Sequence, residues 1–202
     1  MLFTQLIAWG GGQSNESEVQ TQLQTGVFID SPVSNIAYRT ETLSGFTNSE
    51  GEYLYHNGEE ITFSIGGISF PKVVAKGILT PLDIVGTGDI SNVMVSNIAR
   101  LLQSLDRDRN PVNGIQIDDL AHESAIAMSP SLDSVEFLNE EGVINLLANS
   151  GAIETTLVDL KEAQTHLQSS LDDIDSTLSH VEQNKVPIVQ AGSDQEVDEQ
   201  SF

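Results

Sequence analysis

A helix that runs directly into an acidic loop divides this chain into two parts of different character. The helix is predicted from an apolar stripe at helical spacing, formed by Met94, Ile98, Leu101, Leu102 and Leu105. Asn97 and Gln103 lie off this stripe. Either Ser91 or Asn92 can cap its start. Residues before the helix read as short strands, whereas residues after it read as further helices. The chain is therefore predicted to be α+β, with an N-terminal antiparallel β-sandwich over residues 25–85 and an α-helical subdomain over residues 86–183.

The β part is predicted from short apolar runs separated by turn residues. The predicted strands are residues 25–30, 33–40, 53–55, 61–65, 68–70 and 73–75. In the second strand, Ile36, Tyr38 and Thr40 share one face. A turn is expected at residues 48–51 and a hairpin at residues 56–58, because Asn and Gly tolerate the backbone conformations that tight turns require. Strands of this length and spacing are typical of an antiparallel sandwich.

The hairpin motif resembles that of prealbumin-like and carboxypeptidase-regulatory-like sandwich domains. The similar residues are Gly45–Tyr55, which contain Thr47-Asn48-Ser49-Glu50-Gly51, and the following run Gly58–Gly66. Domains of that kind are binding or spacer modules of bacterial surface proteins. The resemblance implies that Thr47, Asn48 and Gly51 build the turn and that the aromatic residues enter the core.

A second resemblance covers about residues 25–183. Leu79–Asp83 (LTPLD), Asn97–Ile115 and the later run Leu157–Leu171 look like a module of secreted and lipid-anchored proteins and large adhesins of proteobacteria. In that module a sandwich hairpin leads through a Thr-Pro-Leu-Asp segment to a helix and an Asp-x-Asp loop. The resemblance implies a surface lipoprotein or adhesin segment and implies no catalytic activity.

The acidic loop after the helix is a candidate calcium site. Hard cations need six to eight oxygen ligands, and alternating acidic residues supply several from one loop. The candidate ligands are the side chains of Asp106, Asp108, Asn110 and Asn113 and the backbone carbonyl of Val112. The loop departs from an EF-hand at Pro111 and Ile117, and Arg107 and Arg109 weaken its field. The alternative is a helix C-terminal turn whose Asp and Asn side chains accept backbone N–H groups.

Three further helices are predicted in the second part. They span residues 117–128, 135–148 and 157–181, and the last carries one apolar stripe: Leu157, Leu160, Ala163, Leu167, Leu171, Ile174, Leu178 and Val181. From Leu167 the spacing alternates four and three, as in a coiled coil. Either packing within the chain or self-association through residues 157–181 explains the stripe. Residues 184–202 are predicted to be an acidic disordered tail.

The start of the chain and its charge bear on location. Residues 1–24 are an apolar start and a flexible linker; Leu6-Ile7-Ala8 resembles the end of a lipoprotein signal, but Trp9 occupies the position of the lipidated Cys. The apolar run is too short to span a bilayer. We therefore expect a cell-envelope or extracellular, outer-membrane-associated protein without lipidation as written. The net charge of −22 argues against nucleic acid and against docking onto anionic lipid through a basic face.

No catalytic motif is evident. The chain has no Cys, four scattered His, no Gly-x-Ser-x-Gly elbow and no His-Glu-x-x-His helix. The leading hypothesis is a non-catalytic envelope or extracellular module that provides adhesion, spacing or support of a neighbouring domain and can be stabilised by calcium. The alternatives are an N-terminal accessory domain of a larger secreted or lipid-anchored hydrolase, and a self-contained enzyme.

Overall fold

The computed structural model describes the backbone of residues 22–183 and the side chains through residue 177. The predictions for residues 1–21, including Trp9, and for the tail 184–202 lie outside the described residues. The strands are β1 (Leu23–Phe28), β2 (Val33–Ser34), β3 (Ala37–Arg39), β4 (Ser44–Phe46), β5 (Glu52–His56), β6 (Glu60–Ile65), β7 (Ile68–Ser69), β8 (Val73–Val74), β9 (Ile78–Leu79) and β10 (Ile115–Gln116). The helices are α1 (Pro81–Val85), α2 (Val93–Ser104), α3 (Asp119–Ser124), α4 (Glu141–Asn149) and α5 (Leu160–Gln183).

The strands of the described residues form three small sheets. In the largest sheet β4, β3, β6 and β7 lie in that order, and β8 also pairs with β6; all of these pairings are antiparallel. A second sheet has the order β5-β1-β9, and a third consists of β2 and β10. The predicted α+β class and the antiparallel pairing of several strands are confirmed.

Two strand pairs are parallel, which differs from the fully antiparallel expectation. β1 pairs with β9, and β2 pairs with β10, both in parallel. Parallel neighbours need a long crossover, because the chain must return to the same end of the sheet. Here β10 follows α2, so the chain returns to the β part after its first long helix.

The predicted strand over residues 33–40 is interrupted at Asn35. This residue has φ 57°, a left-handed conformation that Asn tolerates better than most side chains. Its side-chain amide donates to the carbonyl oxygen of Ile117 and to the carboxylate of Asp119, each at 2.9 Å. Ile36, Tyr38 and Thr40 nevertheless share a buried face, as the alternation predicted.

The hairpin residues Thr47, Asn48 and Gly51 have the structural roles that the resemblance implied. The Thr47 hydroxyl donates to the carbonyl oxygen of Val33 at 2.7 Å and accepts from the backbone N–H of Ile36 at 3.1 Å. The Asn48 side-chain oxygen accepts two backbone N–H groups of the turn. Gly51 has φ 73°. These contacts fix the turn and bind it to the neighbouring strand.

One apolar core joins the strands to the helices. Phe28 and Phe63 stack with ring centroids 4.5 Å apart, and the same buried cluster includes Ile98, Leu102 and Phe137 from the second part of the chain. Burial of this kind is the main favourable term in folding. The two parts therefore share their interior.

The helix before the acidic loop has the predicted face and cap. Asn92 caps α2 by accepting the backbone N–H groups of Met94 and Val95. The aliphatic residues from Ile98 onward in the stripe are fully buried, and Met94 is partly buried. Asn97 and Gln103 are also buried. Their burial is tolerated because the Asn97 amide donates to the carbonyl oxygen of Leu132 and the Gln103 amide donates to the Asp30 carboxylate.

Helix α1 is an element that the strand pattern did not predict. Thr80 and Asp83 form a reciprocal capping box, and Pro81 occupies the first turn. Pro is favourable there because its missing N–H would have no partner in the helix.

The long helix α5 packs within the chain through its first half. Ala163 and Leu167 are fully buried, and Leu167 packs in a cluster with Val95 and Ala99 of α2. Part of the predicted stripe is thus covered within the chain, whereas Leu160 is exposed. Across residues 22–183, no helix combines the length and apolarity needed to cross a bilayer.

Candidate functional site at the acidic loop

The loop between α2 and β10 is closed by contacts between its two ends. Asp106 and Ile117 form an isolated β-bridge, and the backbone N–H of Arg107 donates to the carbonyl oxygen of Gln116 at 2.9 Å. Within the loop, Pro111 starts a short 3-10 helix that ends at Asn113. The two ends of the loop therefore lie side by side, and its base is hydrogen-bonded to strand β10.

Asp106 is fully buried at the base of this loop, with 0% of its surface exposed. Its Oδ1 accepts the backbone N–H of Gln116 at 2.9 Å, whereas its Oδ2 is buried without a hydrogen-bond partner. Burial raises the pKa of Asp106, and the nearby charge of Asp108 raises it further. A buried charge without a full set of partners costs free energy, so Asp106 is a polar group with unused binding capacity.

Asp108 is exposed and is held by its own loop. Its Oδ2 accepts the side-chain amide of Asn113 at 2.9 Å, and its Oδ1 accepts the backbone N–H of Asn110 at 3.0 Å. These bonds, that of Asn113 first, lower the pKa of the Asp108 carboxyl. Asp108 is therefore ionised at neutral pH beside the buried carboxyl of Asp106.

The five predicted ligands divide between two depressions. Asp106, Asp108 and Asn113 line one cleft of about 280 Å³, together with Ser34 and Ser49 of the β part. Asn110 and Val112 line a different groove, which faces α5. The structure thus brings three of the five together and adds two serines that sequence spacing could not associate with them.

The oxygen set of this cleft is mixed. In the described part of the chain, no group of three or more His, Cys, Asp and Glu side chains is placed to hold a metal ion. The residues that line the cleft carry two carboxylates, and their other side-chain oxygens belong to two amides and two hydroxyls. Such a set suits hard cations, which accept neutral oxygen ligands, and does not suit zinc, which prefers nitrogen and sulfur.

Both neighbouring arginines are engaged away from the cleft. Arg107 lies 3.9 Å from the Asp118 carboxylate, measured from its Nε. Arg109 donates to the backbone carbonyl oxygen of Thr156 at 2.7 Å and lies 3.9 Å from the Glu154 carboxylate. Since neither arginine lines the cleft, their charges oppose a cation there less than their sequence positions suggested.

A second polar cluster, which sequence reasoning missed, lies where α5 crosses the turn after β1. The Ser31 hydroxyl is 3.1 Å from Nε2 of His166, although the residues are 135 positions apart. Burial lowers the pKa of His166, and a hydrogen bond to the backbone of Asp30 opposes that shift. His166 lines the groove of about 670 Å³ that also contains Asn110 and Val112. No local motif could have identified this pair, because its members meet only in the folded chain.

The carboxyl group of Asp30 does not complete a catalytic triad with Ser31 and His166. Its Oδ2 accepts from the side-chain amide of Gln103 at 3.0 Å, and its Oδ1 is buried without a partner. In a serine triad, the carboxylate orients the imidazole through a direct hydrogen bond. The cluster has a nucleophile and a base in contact but lacks that orienting bond.

Comparisons with known proteins found no match to this chain among protein-family models, curated proteins or solved structures.

Proposed function

We propose that this chain is a non-catalytic cell-envelope or extracellular module that spaces, adheres to or supports a neighbouring domain, with its strands forming a prealbumin-like sandwich. The observation that carries the proposal is the position of the acidic loop. Its base is fixed to β10, and β10 pairs with β2 of the β part. The most distinctive polar motif of the sequence therefore lies where the strands and the helices are joined, which favours a supporting role.

Two sequence features support the proposed location. The net charge of −22 suits a surface exposed to solvent and to cations. The residues Leu6-Ile7-Ala8 before Trp9 resemble the end of a lipoprotein signal. Retention at the outer membrane without lipidation would then depend on a neighbouring domain or on a partner.

Fractionation of the native host tests the location. We expect the full chain in the envelope or in the medium, and we expect protease added to intact cells to digest it while a cytoplasmic marker survives. A Trp9→Cys variant should incorporate labelled palmitate if residues 1–8 act as a lipoprotein signal, and Trp9→Ser is the matched control. Recovery only in the protease-protected cytoplasm would overturn the proposal.

A serine hydrolase is the second candidate, because Ser31 and His166 are 3.1 Å apart. Nucleophile and base at this distance are the first requirement for acyl transfer. A panel of ester and amide substrates distinguishes the two candidates. Turnover that Ser31→Ala and His166→Ala both abolish would establish the hydrolase and reject the non-catalytic module, whereas we expect none above background.

A further inference from the structure

The cleft at the base of the acidic loop is lined by Asp106, whose side chain is buried. Two features are independent of the sequence motif: the carboxylate is fully buried, and its Oδ2 has no hydrogen-bond donor. The charge of Asp108 lies close to the Asp106 carboxyl and adds to the negative potential there. The site has a surplus of negative oxygen and lacks a positive partner.

Three chain segments line the cleft. Asp106, Asp108 and Asn113 come from the loop, Ser34 comes from β2, and Ser49 comes from the turn between β4 and β5. The Asn113 amide now donates to Asp108. Exchange of its N and O atoms by rotation about the last side-chain bond would direct its oxygen toward a cation instead, and the two orientations have nearly the same shape.

We propose that Asp106, Asp108 and Asn113, together with the hydroxyls of Ser34 and Ser49, bind one calcium ion that crosslinks the acidic loop to the β part. Calcium accepts six to eight oxygens in irregular geometry, so water completes the coordination shell. Magnesium requires a regular octahedron and gives up its water reluctantly, so it fits a shallow, three-segment site less well. This proposal deepens the proposed function, since a crosslink at the junction stiffens a supporting module.

Calcium titration of the purified full chain, treated beforehand with a chelator, tests the proposal. We expect a single site by calorimetry, and we expect roughly 10 mM calcium to raise the melting temperature by about 3 °C or more. Equal ionic strength in NaCl and an equal concentration of MgCl2 are needed as controls, because salt screens the repulsion within so acidic a chain.

Three variants locate the site. Asp108→Asn changes an exposed side chain, so folding should be retained while calcium affinity falls roughly tenfold or more. Asp106→Asn should remove the calcium response too, because the new amide can donate to Asp108 in place of the cation. Asp133→Asn changes an exposed carboxylate outside the cleft and should leave the response unchanged.

Two results would overturn the assignment. One is a stabilisation no greater with calcium than with magnesium or NaCl, which would mean general screening. The other is a calcium response that persists in both Asp106→Asn and Asp108→Asn. Because the measurement uses purified protein, its failure would leave the proposed cellular location untouched, and a wrong location would leave calcium binding untouched.

Discussion

The buried carboxyl of Asp30 makes the stability of the chain depend on pH. Its side chain is fully buried, and it receives one hydrogen bond, from Gln103. Burial raises the pKa of Asp30 well above its usual range, so the folded chain holds this proton more tightly than the unfolded chain does. The resulting stability is fully present below the unfolded pKa of about 3.9 and is lost as the pH rises through the folded pKa.

We therefore expect Asp30→Asn to raise the free energy of unfolding at pH 7, on the order of 1 kcal/mol or more, and to flatten its decline with increasing pH. Urea unfolding of both proteins between about pH 4 and pH 8 measures this difference. His166 is near, and its own titration is present in both proteins, so subtraction of the two curves isolates Asp30. Curves that run parallel over this range would show that Asp30 is ionised in the folded chain.

Two glycines in left-handed conformations allow a matched test of the turn chemistry. At Gly51, φ is 73° and a methyl group would lie 2.9 Å from the Phe28 carbonyl oxygen and the Val33 nitrogen, whereas Gly58 has φ 92° and open space around it. Gly58→Ala should cost about 1 kcal/mol through its backbone alone. Gly51→Ala should cost roughly 2 kcal/mol more, because backbone atoms must also move. Thermal melting compares them, and equal losses would contradict the role of close packing at Gly51.

The sequence predicts the roles of individual residues only where their partners are local. Thr47, Asn48 and Gly51 were assigned to a turn because their partners lie within a few residues or on the adjacent strand. Asp30 and His166 carried no such signal, since their environments are made by elements more than 70 positions away. The acidic loop is predictable in part. The spacing of acidic residues identifies Asp106 and Asp108, whereas only the fold brings Ser34 and Ser49 to them.

Among the elements, α5 is fastened chiefly by its first half. Leu167 is fully buried against α2, whereas Leu160 is 44% exposed. Leu167→Ala should therefore destabilise the chain by about 2–5 kcal/mol, and Leu160→Ala by less than about 1 kcal/mol. Chemical unfolding measures both. Similar small losses would mean that α5 does not dock on α2 through this face.

Long helices with several repeats of the apolar pattern are predicted better from the sequence than elements of two to five residues. Helices α2 and α5 were identified from apolar residues repeated over several turns, which is a strong signal. Strand β10 has two residues and lies between the acidic loop and the helix predicted over residues 117–128. The five residues of α1 lie at the end of the region predicted as strands. Short elements of this kind form because of tertiary pairing and capping residues, and the local apolar pattern gives little sign of either.

For the whole molecule, the shared core predicts that the strands do not fold without the helices. The cluster containing Phe28 and Phe63 also contains Ile98, Leu101 and Leu102. A fragment of residues 22–85 would expose that surface and would lose the β10 partner of β2. We expect it to give poorly dispersed amide resonances in NMR spectra, whereas residues 22–183 give dispersed ones. A well-dispersed spectrum from the short fragment would show that the β part is an independent domain.

The overall class was predictable because strand-like and helix-like patterns are separated along the chain. The two parallel pairings were not, since the direction of a strand relative to its neighbour depends on the path of the chain between them. β2 and β10 are more than 75 residues apart, and nothing within either dipeptide indicates the other.

The contact of Ser170 with Asp30 has a consequence for biosynthesis. The Ser170 hydroxyl donates to the Asp30 carbonyl oxygen at 3.1 Å, so the turn after the first strand is covered by the last helix of the described chain. During translation that turn leaves the ribosome early and is not covered until α5 is made. Burial of Asp30 raises the pKa of its carboxyl group, which favours the protonated form in the folded chain. Completion of the fold should therefore wait for synthesis of α5 and be favoured at mildly acidic pH.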